Sequence, residues 1–117
     1  MTAPLPPVLA QVISRSTEPF SIAKLRESAQ VLSTGYRSRE NIRPTLSPVD
    51  VAAYLGARFP STYAVAHHVW GEVSSHLESP GLVSVLDAGA GPGTASWAAH
   101  EVLPGAGFTL LERDASW

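Results

Sequence analysis

The sequence contains no cysteine, so the chain has no disulfide bond and no thiolate ligand for a metal ion. Charged residues are scarce as well, at 15% of the chain, and the formal net charge is −2. No apolar run reaches the roughly 18 residues that a membrane-spanning helix needs. The N-terminus also lacks the basic start and apolar block of a secretory signal. We therefore expect a cytoplasmic protein that does not enter a membrane.

Apolar side chains make up 44% of the sequence, which is enough for the core of about one domain. Apolar residues spaced three and four apart predict helices over about residues 5–17 and 21–37. A third helix is predicted over 47–57, because Ser47, Pro48 and Asp50 supply an N-cap, a first-turn proline and an acid at the third helical position. Pro60 should break that helix before a fourth one begins. Residues 1–80 are thus predicted to form a helical region.

The pattern changes after residue 80, where two short apolar runs flank a glycine-rich turn and a helix. Residues 83–87 are typical of a short buried strand, residues 108–112 are typical of a second strand, and residues 88–93 are the turn. The helix should run from Thr94 to Leu103, before Pro104 and Gly105 end it. Residues 81–117 therefore predict a βαβ unit and an α/β fold. In such a unit the loop and the helix N-terminus present backbone N–H groups to a ligand.

Two classes of nucleotide ligand suit a glycine loop of this kind, and charge separates them. A dinucleotide brings a pyrophosphate, which the carboxylate of Asp87 at the end of the first strand would repel. The dinucleotide fingerprint also needs its third glycine or alanine at the position of Thr94. S-adenosylmethionine carries a cationic amino group and a sulfonium and has no phosphate, so Asp87 suits it. Glu112, at the end of the second strand, is placed to accept hydrogen bonds from both ribose hydroxyls.

We predict that the cofactor contacts lie in the loop and at the two strand ends. The predicted residues are Asp87, Ala88, Gly89, Ala90, Gly91, Gly93 and Glu112. Two alternatives remain open: Asp87 caps the turn by accepting its N–H groups, or Glu112 and Asp114 are a solvated strand end. No nucleophile, base and orienting group stand together in the sequence, so no catalytic residue is predicted. We also predict no metal site, since the spaced residues His68, Glu72 and His76 fit a solvated helix face better.

Two motifs around this loop resemble those of a known enzyme family. Residues 85–94, VLDAGAGPGT, resemble the first motif of class I S-adenosylmethionine-dependent methyltransferases, and residues 111–114, LERD, resemble the second. More narrowly, residues 54–64, YLGARFPSTYA, with the loop and residues 95–99, ASWAA, resemble the methyltransferase-like family of the mitochondrial small ribosomal subunit and its bacterial relatives. The resemblance covers roughly residues 20–117. It implies S-adenosylmethionine as cofactor, a Rossmann-like class I fold, and the small ribosomal subunit or its rRNA as partner.

The chain departs from this family in two ways. A class I sheet has about seven strands, and only the first two are predicted here. Members of the narrower family also resemble one another in a cysteine cluster for an iron–sulfur centre. This chain has no cysteine and cannot supply such a cluster. We therefore expect the N-terminal portion of a longer methyltransferase, with an incomplete Rossmann-like domain over residues 81–117. The 117-residue chain by itself is expected to be inactive and to bind the cofactor weakly.

Basic residues concentrate ahead of the glycine loop. Five of them lie among residues 24–43 with only two acidic neighbours: Lys24, Arg26, Arg37, Arg39 and Arg43. From residue 44 onward, two basic residues stand against seven acidic ones. This segment predicts contact with rRNA, although a solvated helix face explains it equally simply. It also supports an alternative function, a non-catalytic ribosome-assembly or RNA-binding factor that retains the methyltransferase-like scaffold.

Overall fold

The computed structural model describes residues 4–38, 46–78 and 84–117, with side chains omitted for residues 36–38. Five helices and two strands lie in these ranges: α1 (Pro7–Thr17), α2 (Ile22–Ser38), α3 (Pro48–Ala57), α4 (Phe59–His76), β1 (Ser84–Ala88), α5 (Thr94–Val102) and β2 (Gly107–Leu111). The chain forms two compact units. The helical unit comprises Pro6–Pro60 with Asp114–Trp117, and the sheet unit comprises Ser61–Arg113 with Met1–Leu5.

In the helical unit, α3 contacts both α1 and α2, and a buried carboxylate organises its start. Ser47 caps α3 by accepting the Asp50 N–H, while the Asp50 carboxylate accepts the Ser47 N–H at 3.0 Å. The same carboxylate accepts the Ser28 hydroxyl of α2 at 2.5 Å, and Asp50 is only 1% exposed. The predicted start of α3 is therefore confirmed. Its capping residue also ties α3 to α2, which the local pattern alone did not indicate.

The last four residues complete the helical unit. The Asp114 carboxylate accepts the Ser116 N–H at 2.9 Å, which closes a tight turn. The ring of Trp117 then packs edge-on against Tyr54 of α3, with their centroids 5.0 Å apart. Asp114 is thereby engaged in its own turn within this unit.

Helix α4 begins at Phe59, one residue before Pro60. The predicted break after α3 is confirmed, because α3 ends at Ala57. Pro60 lies in the first turn of α4, where its missing N–H costs no helical hydrogen bond. Tyr63 on the same helix is 1% exposed, and its burial, together with the charge of Glu101, raises the pKa of the phenol from its ordinary value. Tyr63 is therefore neutral at physiological pH.

Strands β1 and β2 are parallel neighbours, joined through α5. Their bounds lie within one residue of the predicted ones. Helix α5 packs on one face of this small sheet, where Val85 and Phe108 are half-buried. The opposite face is open, with Leu86 64% and Leu111 55% exposed. The prediction that residues 83–87 form a buried strand is thus wrong for the face that carries Leu86, since α5 covers only one side of the two described strands.

The architecture is a mixed α/β one with a two-stranded parallel sheet. The predicted domain boundary near residue 80, the predicted strand residue Val83, and Arg39 and Arg43 all lie outside the described residues. None of the described helices combines the length and the apolar character required to cross a bilayer.

Candidate functional site

The glycine loop, residues 88–93, lies where the two parallel strands end side by side. Ala88 is the last residue of β1 and is in register with Leu111, the last residue of β2. Carboxyl ends of parallel strands meet at one edge of a sheet, and this edge is where ligands bind in open α/β sheets. Asp87 and Glu112 are therefore placed at the same edge, on either side of the loop.

Backbone hydrogen bonds fasten the glycine loop to the end of β2. The Leu111 carbonyl accepts the N–H groups of Gly89 at 2.8 Å and Ala90 at 2.9 Å. The Ala90 carbonyl accepts the Gly93 N–H at 2.9 Å, which closes the loop on itself. The loop is thus a fixed element and its N–H groups are largely used internally.

The glycines of the loop have backbone angles that side chains disfavour, with φ of 73° at Gly89, 54° at Gly91 and 79° at Gly93. Their surroundings differ. A Cβ atom on Gly89 would meet no heavy atom within 4 Å, whereas one on Gly93 would lie 3.0 Å from the Leu110 Cδ2 atom. Gly89 thus leaves open space for a ligand. Gly93 is buried, a Cβ atom there would need the Leu110 side chain to shift by a few tenths of an ångström, and a cofactor contact from Gly93 stays a prediction.

Asp87 is half-buried beneath the loop, and its carboxylate is held by the next helix. Its Oδ2 atom accepts the Ser96 hydroxyl of α5 at 2.7 Å. The alternative that Asp87 caps the turn is not what the structure shows. The N–H groups of Gly89 and Ala90 are bonded to Leu111, and that of Gly91 is bonded to Glu112. The sequence reasoning missed Ser96. The available signal is a serine in the first turn of the helix that follows a strand with an acidic residue at its end.

Glu112 reaches back from the end of β2 to the loop. Its Oε2 atom accepts the Gly91 N–H at 2.5 Å, a short charge-assisted bond. A carboxylate has about four lone-pair positions and can accept more than one hydrogen bond. Asp114 accepts the Ser116 N–H. Glu112 is thus bonded to the glycine loop.

Helix α5 directs its N-terminus toward the loop. Helix geometry leaves its first N–H groups, those of Thr94, Ala95 and Ser96, without intrahelical acceptors. Its N-cap, Gly93, has no side chain to satisfy them. These N–H groups carry the positive end of the helix dipole. A ligand's carboxylate suits such a position, next to acids that suit a ligand's cation.

The basic residues predicted to contact RNA are described only in part. Lys24 and Arg26 are exposed on α2, while the Arg37 side chain and the whole of Arg39 and Arg43 lie outside the described residues. Among the residues that the structure describes, no group of His, Asp or Glu could hold a metal ion.

Comparison with known proteins adds one finding. A family model described as mitochondrial small ribosomal subunit Rsm22 matches residues 48–116. Neither the curated proteins nor the solved structures yielded a match. The family match covers α3, α4, the glycine loop and both strands, which confirms the narrower of the two resemblances. Because it spans more than half of the sequence, the chain belongs to the mitochondrial small ribosomal subunit Rsm22 family.

Proposed function

We propose that the glycine loop binds S-adenosylmethionine, and that the chain belongs to a methyltransferase that acts on or associates with the small ribosomal subunit or its rRNA. One observation carries the cofactor assignment. The carboxylates of Asp87 and Glu112 flank a hydrogen-bonded glycine loop at the carboxyl edge of parallel strands. The family's description, which names the small ribosomal subunit, supports the partner. A Rossmann-like class I domain is the fold that accompanies this function.

Each part of the site meets a different part of this ligand. Asp87 attracts the amino group, and Glu112 accepts the ribose hydroxyls. The backbone of Ala88, Gly89, Ala90 and Gly91 forms the surface against which the nucleoside lies, and the open side of Gly89 permits close approach. The α5 N-terminus suits the ligand's carboxylate. A pyrophosphate would instead face two carboxylates, so a dinucleotide fits poorly.

Methyl transfer from this cofactor needs little acid or base chemistry at the sulfur. Asp87 and Glu112 would hold S-adenosylmethionine at the loop, and the bound cofactor would supply an electrophilic methyl group, whose transfer to an acceptor that loses a proton would leave S-adenosylhomocysteine. Alignment of the acceptor with the methyl carbon is the main catalytic contribution in such a reaction. The role of these residues is therefore to hold and orient the cofactor, and no residue of the chain is assigned to catalysis.

Calorimetric titration tests the cofactor assignment directly. We expect the full-length protein to bind S-adenosylmethionine and S-adenosylhomocysteine, with no measurable heat from NAD⁺ at the same concentration. The two carboxylates at the loop supply the physical reason for this difference. Binding of NAD⁺ but not of the methyl donor would overturn the proposal, and so would the absence of binding by any of the three.

A second candidate function is a non-catalytic assembly or RNA-binding factor that keeps this scaffold. It is favoured by the exposed positions of Lys24 and Arg26 on α2, at the start of the basic segment. Exposed cations of this kind bind phosphates without sequence preference. Methylation of small-subunit rRNA by the protein would support the methyltransferase. RNA binding without methylation would support the non-catalytic factor.

Salt dependence measures the RNA contact. The affinity for RNA falls as the salt concentration rises, so the slope of log affinity against log salt is negative. Replacing Arg37, Arg39 and Arg43 by glutamine should make this slope shallower by about 2 to 3, since each phosphate contact contributes about 0.7 to 0.9 to its magnitude. A control with Arg15 and Arg113 replaced by glutamine removes basic charge outside the segment and should leave the slope unaltered. Filter binding with a fragment of rRNA at several salt concentrations supplies the slopes. Equal slopes for the wild type and the triple variant would assign these arginines to a solvated face.

A further inference from the structure

We propose that Ser96 is a positioning residue for cofactor binding, acting through Asp87. The inference rests on the proposed function and deepens it, because it assigns recognition of the cofactor's amino group to a pair of residues on two elements. Ser96 donates its hydroxyl to the Asp87 Oδ2 atom at 2.7 Å. This bond joins the end of β1 to the first turn of α5.

The position of Ser96 separates it from a residue that touches the ligand. Ser96 is only 7% exposed, so its hydroxyl supports the carboxylate from within the protein. Asp87 is half-buried and lies at the strand end beside the loop. The bond to Ser96 uses Oδ2, so Oδ1 is the atom that we expect to face the ammonium group.

The hydrogen bond matters because a carboxylate binds a cation well only when its orientation is fixed in advance. An aspartate side chain rotates about two bonds, and an immobilised orientation lowers the entropy lost when the ligand binds. The Ser96 hydroxyl supplies this immobilisation from a helix that is itself attached to the glycine loop, since the Trp97 N–H is bonded to the Gly93 carbonyl at 2.8 Å. Loss of the hydroxyl leaves the charge of Asp87 in place but releases its orientation.

Two ligands that differ only in the amino group isolate this effect. S-adenosylhomocysteine carries the ammonium, and its deaminated analogue has hydrogen in its place. Ser96→Ala should weaken binding of S-adenosylhomocysteine by about fivefold to tenfold, which lies within the range for loss of one ordinary hydrogen bond. Binding of the deaminated analogue should change by less than about twofold. A merely structural role for Ser96 would weaken both ligands alike.

A double-mutant cycle shows whether Ser96 acts through Asp87. Once Asp87→Asn has removed the charge, Ser96→Ala should cause no further loss of S-adenosylhomocysteine affinity. Thr109→Val is the control, because Thr109 is exposed on the open face of β2 and its replacement removes a hydroxyl of the same unit that lies outside the proposed ligand contacts. Removing that hydroxyl should leave the preference between the two ligands unaltered.

The outcomes of these titrations are distinguishable. Equal weakening of both ligands, or additive losses in the double variant, would overturn the role of Ser96 while the cofactor assignment stood. Failure of the wild type to bind either ligand would overturn the proposed function and this inference with it. If thermal unfolding shows that Ser96→Ala does not fold, Ser96→Cys replaces the hydroxyl by a weaker donor of similar shape. We then expect Ser96→Cys to weaken binding of S-adenosylhomocysteine more than binding of the deaminated analogue. An unchanged preference between the two ligands would contradict the proposal.

Discussion

Replacing Gly91 by arginine should reduce binding of S-adenosylhomocysteine by more than about a hundredfold, and Glu112→Ala should reduce it by about tenfold to a hundredfold. Gly91 has φ of 54°, which an arginine adopts only with strain, and its side chain would enter the ligand surface. The Gly91 N–H is also the group that Glu112 holds. Loss of Glu112 removes both this bond and the acceptor for the ribose hydroxyls, an effect of about 1 to 3 kcal/mol.

The control for this prediction is Asp114→Ala, which removes the same charge two residues further along. The Asp114 carboxylate accepts the Ser116 N–H in its own turn, so the glycine loop should keep its hydrogen bonds and the affinity should stay within about twofold. Calorimetry on the three variants, with circular dichroism to verify folding, measures the differences. If both Gly91→Arg and Glu112→Ala bind S-adenosylhomocysteine as tightly as the wild type, the ligand does not bind at this loop.

The elements of the fold could be predicted where short-range chemistry determines them. The start of α3 follows from the hydroxyl of Ser47, the ring of Pro48 and the acid at Asp50, all within four positions of one another. The ends of β1 and β2 follow from apolar runs that stop at a glycine or a charged residue, and the structure places them within one residue of expectation. In each case the pattern and the physical cause lie in the same few residues.

The contacts of the candidate site could not be predicted in this way, because they join residues far apart in the chain. The sequence indicated Asp87 and Glu112 as ligand-facing acids. It did not indicate that Glu112 accepts the Gly91 N–H, 21 positions away, or that Ser96 donates to Asp87. Such bonds depend on the strand register and on how α5 packs. The exposure of Leu86 has the same origin, since an apolar run shows that a strand is suited to burial and does not show what covers it.

The largest effect on stability is expected from Asp50→Ala, which should lower the free energy of unfolding by about 2 to 4 kcal/mol. Asp50 is 1% exposed and accepts hydrogen bonds from the Ser28 hydroxyl, the Ser47 N–H and the Ser47 hydroxyl. Alanine would leave these donors without their acceptor, and an unsatisfied donor is costly at the buried Ser28 hydroxyl. It would also remove the acid from the N-terminal turn of α3, where it favours the helix dipole.

Urea unfolding of Asp50→Ala beside Glu72→Ala separates this effect from simple loss of an acid. Glu72 is an exposed residue in the middle of α4, so its replacement should change the free energy of unfolding by less than about 0.5 kcal/mol. Ser28→Ala should cost less than Asp50→Ala, because it removes one donor while the carboxylate keeps both Ser47 groups. Its cost should largely vanish in the Asp50→Ala background, where the bond that it breaks is already absent. If the two losses simply add, or if Asp50→Ala is no more harmful than Glu72→Ala, the carboxylate does not join α2 to α3.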